Sequence, residues 1–357
     1  MDMSLLTTEQ KRVLATALDT PLETMLSLAS DPDQLIRMNV AGNQNCPDEI
    51  VMTLIRDHSW IVRSAIVSSP KFPPELLTEL SKDSSHIVRR QVLSHALCPS
   101  DVLLICAKDE YPQVRKQIAK HPSCPTSLME QLLHDDKTVR TGLGENPNCP
   151  DDLLHKLSLD PDWEVRHAIA GRIDCPPSIL SLLVSDDIRE VREAVAGNKQ
   201  CPEGVLTALI NDLAKEVRWA LACNSACTID ILNKLNSDYD HKVRECVTTN
   251  PNLPLLPLLK MATRDSSTDV RISGQRVLRS KGPSVWTGFV KDGFSLSTPM
   301  GKTTRSTTLG DALLRVGLSD VYQIIQGVAL ELSIQQADTT PNMDLSPLST
   351  RPSKMRF

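Results

Sequence analysis

Asp160–Leu183 reads DPDWEVRHAIAGRIDCPPSILSLL. An acid opens the stretch, Val165-Arg166 follows, and then come an apolar pair (Ile169-Ala170), a Cys175-Pro176 step and a leucine-rich run. The same grammar recurs in both directions along the chain. With the Arg taken as register, Arg37, Arg63, Arg89, Arg115, Arg140, Arg166, Arg192, Arg218, Arg244 and Arg271 stand 26, 26, 26, 25, 26, 26, 26, 26 and 27 residues apart. Val precedes each of them except Arg37, which follows Ile36. An Asp stands six residues before nine of these Arg (Asp31, Asp57, Asp83, Asp109, Asp160, Asp186, Asp212, Asp238, Asp265), and Asp135 stands five before Arg140 in the one shortened unit. A degenerate first unit places Lys11 in the Arg register ahead of Leu14-Ala15. Self-similarity at a fixed short period is the signature of a repeat architecture.

Each unit reads as two short helices. The first begins near the Asp, a preferred N-cap, and buries Val, the residue three or four on, and a following Ala at helical spacing. It ends at Asn43, Asn146, Asn198, Asn224 or Asn250 in five units, a residue type that tolerates a left-handed helix terminus. Cys-Pro steps follow at 46–47, 98–99, 124–125, 149–150, 175–176 and 201–202, and proline pre-sets the first turn of the next helix. That helix buries sets such as Leu76/Leu77/Leu80, Leu153/Leu154/Leu157 and Ile231/Leu232/Leu235. Neither helix buries its stripe alone, so the units must stack.

The Asp-x5-Arg register with Val before the Arg resembles the HEAT repeat, in which Asp and Arg form a ladder between neighbouring units. The short period and the Val-Arg-x-x-Val-Ala-x-Asn-x-x-(Cys/Thr)-Pro-x-x-Leu-Leu grammar are similar to the leucine-rich repeat variant family of bacterial proteins. That resemblance covers about 11–280 and implies that one helix of each unit is a short 3₁₀ helix. Some of that family carry an iron–sulphur cluster on a Cys-rich N-terminal segment; here no Cys precedes Cys46. The expected architecture is all-α: a right-handed α-solenoid (an armadillo/HEAT-like superhelix) of about ten two-helix repeats over residues 1–280. A small C-terminal appendage is expected at 281–335, as a hairpin at 284–297 around Lys291-Asp292-Gly293 plus one or two helices from Asp311. A disordered tail is expected at 336–357.

The 357 residues are 40% hydrophobic and 23% charged, with a net charge of −5. That apolar fraction excludes disorder throughout, and no run reaches the ~18 apolar residues of a membrane span. The mild acidity argues against bulk binding to nucleic acid or anionic membrane. Aromatics are only 3%, while Cys number ten. Seven of the Cys (46, 98, 124, 149, 175, 201, 227) share one register with Phe72 and Leu253. That company marks an apolar position, where free Cys serves as a small hydrophobe. Stacked helices lie about 8–10 Å apart, too far for register cysteines to bond along the stack. So many unpaired thiols predict a reducing compartment and a cytoplasmic location. Cys223 and Cys227 form a C-x3-C pair lacking a partner pair, so no metal site is expected.

Catalytic grammar is absent: there is no phosphate-binding glycine loop, His-Glu-x-x-His or nucleophile elbow. No cofactor and no small-molecule substrate is expected, and the protein is read as a non-enzyme. Gly142, Gly144, Gly171 and Gly197 are attributed to close helix packing. The ladder Arg, each accompanied by an acid within or between units, are assigned to stacking geometry. A different pair of positions, three before and one after each register Arg, shares a helix face. It gathers Trp60, His86, Arg90, Lys116, Lys137, Trp163, His167, Arg189, Lys215 and Trp219, including three of the four Trp in the chain. One reading makes these a partner-binding strip, with aromatic anchors and cations drawing in an acidic protein surface. The competing reading packs each Trp over its own seam and leaves the cations solvated. The favoured function is a scaffold presenting a curved surface to a protein partner. The alternative is a nucleic-acid-binding solenoid, similar in fold to the HEAT-like DNA glycosylases but without a matching residue set.

Overall fold

The computed structural model describes residues 3–69, 72–301 and 307–339. Among these residues all regular structure is helical, apart from one isolated antiparallel bridge between Pro299 and Thr308. The chain packs as two compact units, Met1–Leu209 and Ile210–Phe357. The change of register at 280/281 lies inside the second.

In the first unit, the first helices of successive repeats pack against one another: Thr8–Thr16 on Gln34–Ala41, then Trp60–Val67, His86–Leu93, Pro112–Lys120, Lys137–Gly144, Trp163–Ala170 and Arg189–Gly197. Between them lie shorter second helices such as Ser100–Cys106, Thr126–Leu132 and Asp151–Leu157, each entered through a proline at its N-cap. These are α-helical; among the described second helices the 3₁₀ form opens only one, at Pro74–Leu76. The register Val are fully buried, as are the Ile, Leu or Val four residues later. Leu77, Leu80, Leu153, Leu154 and Leu157 of the second helices are buried as expected, but Leu76 is only half-buried, because it ends the 3₁₀ turn Pro74–Leu76 ahead of the helix. At Gly142 a Cβ would lie 2.8 Å from the Lys116 carbonyl, so only glycine admits that helix approach. Gly197 has open space around it, so packing does not explain every glycine in the register.

The Arg register pairs between units rather than within them. Arg37 Nε and Nη2 fork onto Asp57 Oδ2 and Oδ1 at 2.7 and 3.0 Å, while Nη1 donates to the Asp31 carbonyl of its own repeat at 2.8 Å. The same three-way contact recurs at Arg63–Asp83, Arg89–Asp109, Arg115–Asp135, Arg140–Asp160 and Arg166–Asp186. The ladder Asp are not N-caps. Each lies two residues ahead of the cap, where its Oδ1 accepts the cap residue's own amide, as Asp57 does from Ser59 (2.8 Å) and Asp160 from Asp162 (2.9 Å). The shortened repeat removes a residue there, so Asp136 N bonds to adjacent Asp135 at 2.6 Å and the Arg115–Asp135 spacing survives.

The Asn register also differs from expectation. Among the described residues no non-glycine adopts positive φ, and Asn198 is extended at φ −72°. Its amide instead forms a second ladder. Asn146 Nδ2 donates to the Ala119 and His121 carbonyls of the preceding repeat at 2.7 and 2.8 Å, and its Oδ1 accepts from Asn148 N. Asn43 and Asn198 do likewise. Arg172 substitutes a guanidinium, donating to the Gly144 and Asn146 carbonyls. At His95 and His121 the ring Nδ1 keeps only the second half of the contact, accepting from Leu97 N and Ser123 N.

Within the second unit Lys215–Cys223, His241–Thr249 and Thr268–Arg279 stack in the same way, joined by Arg218–Asp238 and Arg244–Asp265 forks. Asn250 repeats the amide ladder onto the Ala222 and Asn224 carbonyls. The expected hairpin at 284–297 is instead a helix, Pro283–Lys291, with Trp286 and Phe289 buried. Gly293, at φ +88°, ends it in a Schellman turn: Phe294 N reaches the Phe289 carbonyl and Gly293 N the Val290 carbonyl. The rings of Phe289 and Phe294 stack at 4.6 Å across that turn, the apolar contact that accompanies the motif. The Lys-Asp-Gly signal was thus a helix stop and not a hairpin turn. Leu309–Arg315 and Ser319–Thr339 follow, split by Gly317 at φ +75°. The last repeat receives them through Arg264 on the Met300 carbonyl (3.0 Å) and Arg279 on Asp320 (3.1 Å). Residues 336–339 belong to the final helix, and the rest of the expected tail lies outside the described residues.

The register cysteines are buried, as is Cys106. Burial pushes Cys98, Cys106, Cys124, Cys149 and Cys227 up to about 11 and Cys175 to about 12. A thiol raised in the folded state contributes stability that is complete below its unfolded value, near 8.5, and is lost as pH rises toward the folded one. Urea midpoints should therefore fall steadily between about pH 8.5 and 11, and Cys124→Val with Cys149→Val should flatten that slope. An unchanged slope in the double variant would refute the assignment. On the acid side, burial works to raise Asp57, Asp83, Asp109 and Asp186, but hydrogen bonds from the ladder Arg and a backbone amide outweigh it and lower all four. Their contribution is present above pH ~4 and is lost as pH falls through the lowered values.

Candidate functional site

The strip positions fall on the first turn and middle of the first helices, where side chains four apart stand above one another. In the first unit Trp60 and Trp163 open their helices and remain 42% and 38% exposed. The fourth Trp, Trp286, is by contrast wholly buried. Exposed indole is costly, so the half-exposed rings are the feature of this face that asks for an explanation. Trp163 meets His167 edge-on, with ring centroids 6.2 Å apart. His86 stacks on Tyr111 of the next repeat at 4.2 Å and an interplanar angle of 15°. Tyr111 also lies under the Arg89 guanidinium at 5.7 Å. It was missed in the sequence because it stands one position before the strip register; its signal was being one of only three Tyr.

The cations of the strip are largely paired. Lys116 bonds Glu145 of the next repeat at 2.9 Å, and Lys137 bonds Asp162 and Glu164 at 3.3 and 3.2 Å. Arg189 pairs with its neighbour Glu190 at 3.0 Å. Burial of Glu145 works to raise its carboxyl, but the ammonium groups of Lys116 and Lys120 outweigh it and lower it. Lys137 is raised by its bonds to Glu164 and Asp162. Arg90 is exposed and makes no ion pair with the described residues. Sequence reading counted cations along the strip positions and did not pair them, because the acids of Lys116 and Lys137 come from other register positions of the following repeat and that of Arg189 from the adjacent position of its own helix.

A cleft of about 390 Å³ opens where the amide ladder is interrupted, lined by His95, Gln117, Lys120, His121 and Glu145 among others. Burial lowers both His95 and His121. In the second unit Lys215 and Trp219 share the helix Lys215–Cys223, Lys215 lies 3.7 Å from Asp240, and Trp219 is 47% exposed. With Glu216, Asp240, Lys242 and Val243 they frame a cleft of about 220 Å³. Among the described residues no three His, Cys, Asp or Glu are grouped to hold a metal ion, and no helix is long and apolar enough to cross a membrane.

What the residues and geometry define is an all-helical architecture of repeated helix pairs, packed in sequence within each unit. No family model and no characterised protein matches the sequence. Among solved structures, the chain is similar to Kap95p, in the structure where its binding induces the switch loops of RanGDP to adopt the GTP-bound conformation (12% identity, TM-score 0.35, covering 92% of this chain and 53% of that one). It is also similar to a chain of the Kap95:Nup1 complex (14% identity, TM-score 0.35, 92% and 50%). A further match is to computationally designed armadillo repeat proteins for modular peptide recognition (15% identity, TM-score 0.15, 87% and 99%). The chain spans about half the length of the first two. None of these matches adds to the leucine-rich repeat variant resemblance.

Proposed function

We propose that the protein is a non-enzymatic binding scaffold whose first-helix faces hold a protein or peptide partner through aromatic anchors. Trp60 and Trp163, with the His86–Tyr111 stack between them in sequence, are the anchors of the first unit, and Trp219 is the anchor of the second. The observation that carries this reading is the exposure of three of the four indoles, all on the two strip positions, beside a fourth that is fully buried. Lys116, Lys137, Arg189 and Lys215 pair with acids, and so serve as a charged rim. An acidic partner surface would draw mainly on Arg90, which makes no ion pair with the described residues. The same pairing disfavours nucleic acid, because phosphate would have to displace Glu145, Asp162 and Glu164 from their lysines.

Selection from a random phage-displayed peptide library tests this. Enriched peptides should bind the wild-type protein and lose at least ~10-fold in affinity on Trp60→Ala or Trp163→Ala, since anchor truncation costs ~2 kcal/mol or more. Equal binding to the doubly substituted protein would overturn the reading. Labelled single- and double-stranded DNA should show no binding at ~50 mM salt; tight, salt-sensitive binding would favour the nucleic-acid alternative.

A further inference from the structure

Two cysteines stand outside both the apolar register and the buried set. Cys223 ends the helix Lys215–Cys223 and is exposed, Cys246 is half-buried in His241–Thr249, and the two form a disulfide with Cα atoms 5.6 Å apart. The general separation of stacked helix axes did not forbid this pair, because both residues project into the seam, where Cα atoms approach more closely than axes do. The bond ties two successive repeats of the second unit. Trp219 lies one turn before Cys223, and Lys242 and Val243 lie one turn before Cys246, so the helices it joins are also the walls of the 220 Å³ cleft around Trp219.

We propose that Cys223–Cys246 is a thiol–disulfide exchange site, reactive toward dithiol reductants, that sets how far the two helix faces around Trp219 can separate. A reductant thiolate attacks the exposed Cys223 sulfur, forming a mixed disulfide as the S–S bond breaks, and Cys246 leaves as a thiolate and takes up a proton. The reductant's second thiol then displaces Cys223, so the protein ends with two thiols and the reductant with one intramolecular disulfide. Chemistry is confined to this pair because the other eight thiols are buried, and the six among them given above are held protonated to about 11 or 12. The reduced unit stays stacked, since the Arg218–Asp238 fork and the Thr248–Ser273 hydroxyl contact remain. The seam loosens at its exposed edge, where Trp219 sits. None of this depends on what Trp219 contacts.

The test uses the full chain, with and without dithiothreitol. Native alkylation read by mass spectrometry should count two more modified cysteines after reduction, at 223 and 246. Acrylamide quenching of Trp219, isolated as the difference between wild type and Trp219→Phe, should rise about two-fold on reduction. The thermal midpoint should fall by roughly 6–12 °C, as expected on releasing a crosslink of this loop length in a unit of this size. Cys223→Ser should reproduce the reduced quenching and thermal midpoint whether or not reductant is present, with one further alkylated cysteine, at 246; should that variant not fold, the wild-type comparison decides alone. Equal alkylation in both states would overturn the site. Two new thiols with unchanged Trp219 quenching would overturn its control of the cleft.

Discussion

Arg218→Ala is expected to destabilise the second unit by about 3–5 kcal/mol, the cost of stranding one partner of a buried ion pair. Arg218 is 2% exposed, and its fork onto Asp238 measures 2.7 and 3.1 Å. Its remaining nitrogen donates to the Asp212 carbonyl at 2.7 Å, and its guanidinium lies 4.3 Å from the Tyr239 ring centroid. Removing it strands a buried carboxylate and uncovers a carbonyl in one step. Lysine at this position should not rescue, because a point charge on a flexible stem cannot supply a planar fork and a third donor together. The exposed pair Arg56–Glu79, at 3.6 Å with side chains 70% and 50% exposed, is the contrast. Arg56→Ala should cost no more than about 0.5 kcal/mol. Urea unfolding of the full chain, with hydrogen exchange localised to Lys215–Cys223 and His241–Thr249, reads the difference. A loss below ~1 kcal/mol for Arg218→Ala would mean the ladder is ornamental.

The amide ladder makes a prediction of both signs. Asn146 is fully buried, and Asn146→Ala leaves the Ala119 carbonyl, on a residue that is itself fully buried, without its donor. The loss should be about 2–4 kcal/mol, since an unsatisfied buried group forfeits its solvation as well as its bond. His121→Asn should do the reverse. It keeps the contact to Ser123 N and supplies an amide to the preceding repeat, with an expected gain of about 0.5–1.5 kcal/mol. Thermal melts of the two single variants settle it. If His121→Asn destabilises, the histidines at 95 and 121 are in the register for a reason other than interrupted stacking, and the cleft they line becomes the place to look.

The repeat and its helix pairs were legible in the sequence because stacking is a periodic demand. Every unit must bury Val at the same register, admit the next helix at the same angle and present an Arg to the same neighbour, so the residues recur every 26 positions or so and announce the fold. The cysteine register was legible for the same reason, since Phe72 and Leu253 show what the position tolerates. What tertiary structure alone decided is everything that joins residues across that period. The ladder Asp looked like N-caps because an acid near a helix start usually is one, and only packing showed the carboxylate turned to the preceding repeat's Arg. The ladder Asn looked like left-handed helix ends, whereas their amides reach back to carbonyls 25 to 28 residues away. Lys116, Lys137 and Lys215 looked free because their acids sit in another register of the next repeat. Cys223 and Cys246 looked unrelated because no periodic signal links two residues that occur once. Local pattern records what each unit needs from its own chain; partners supplied by a neighbouring unit enter only when the helices stack.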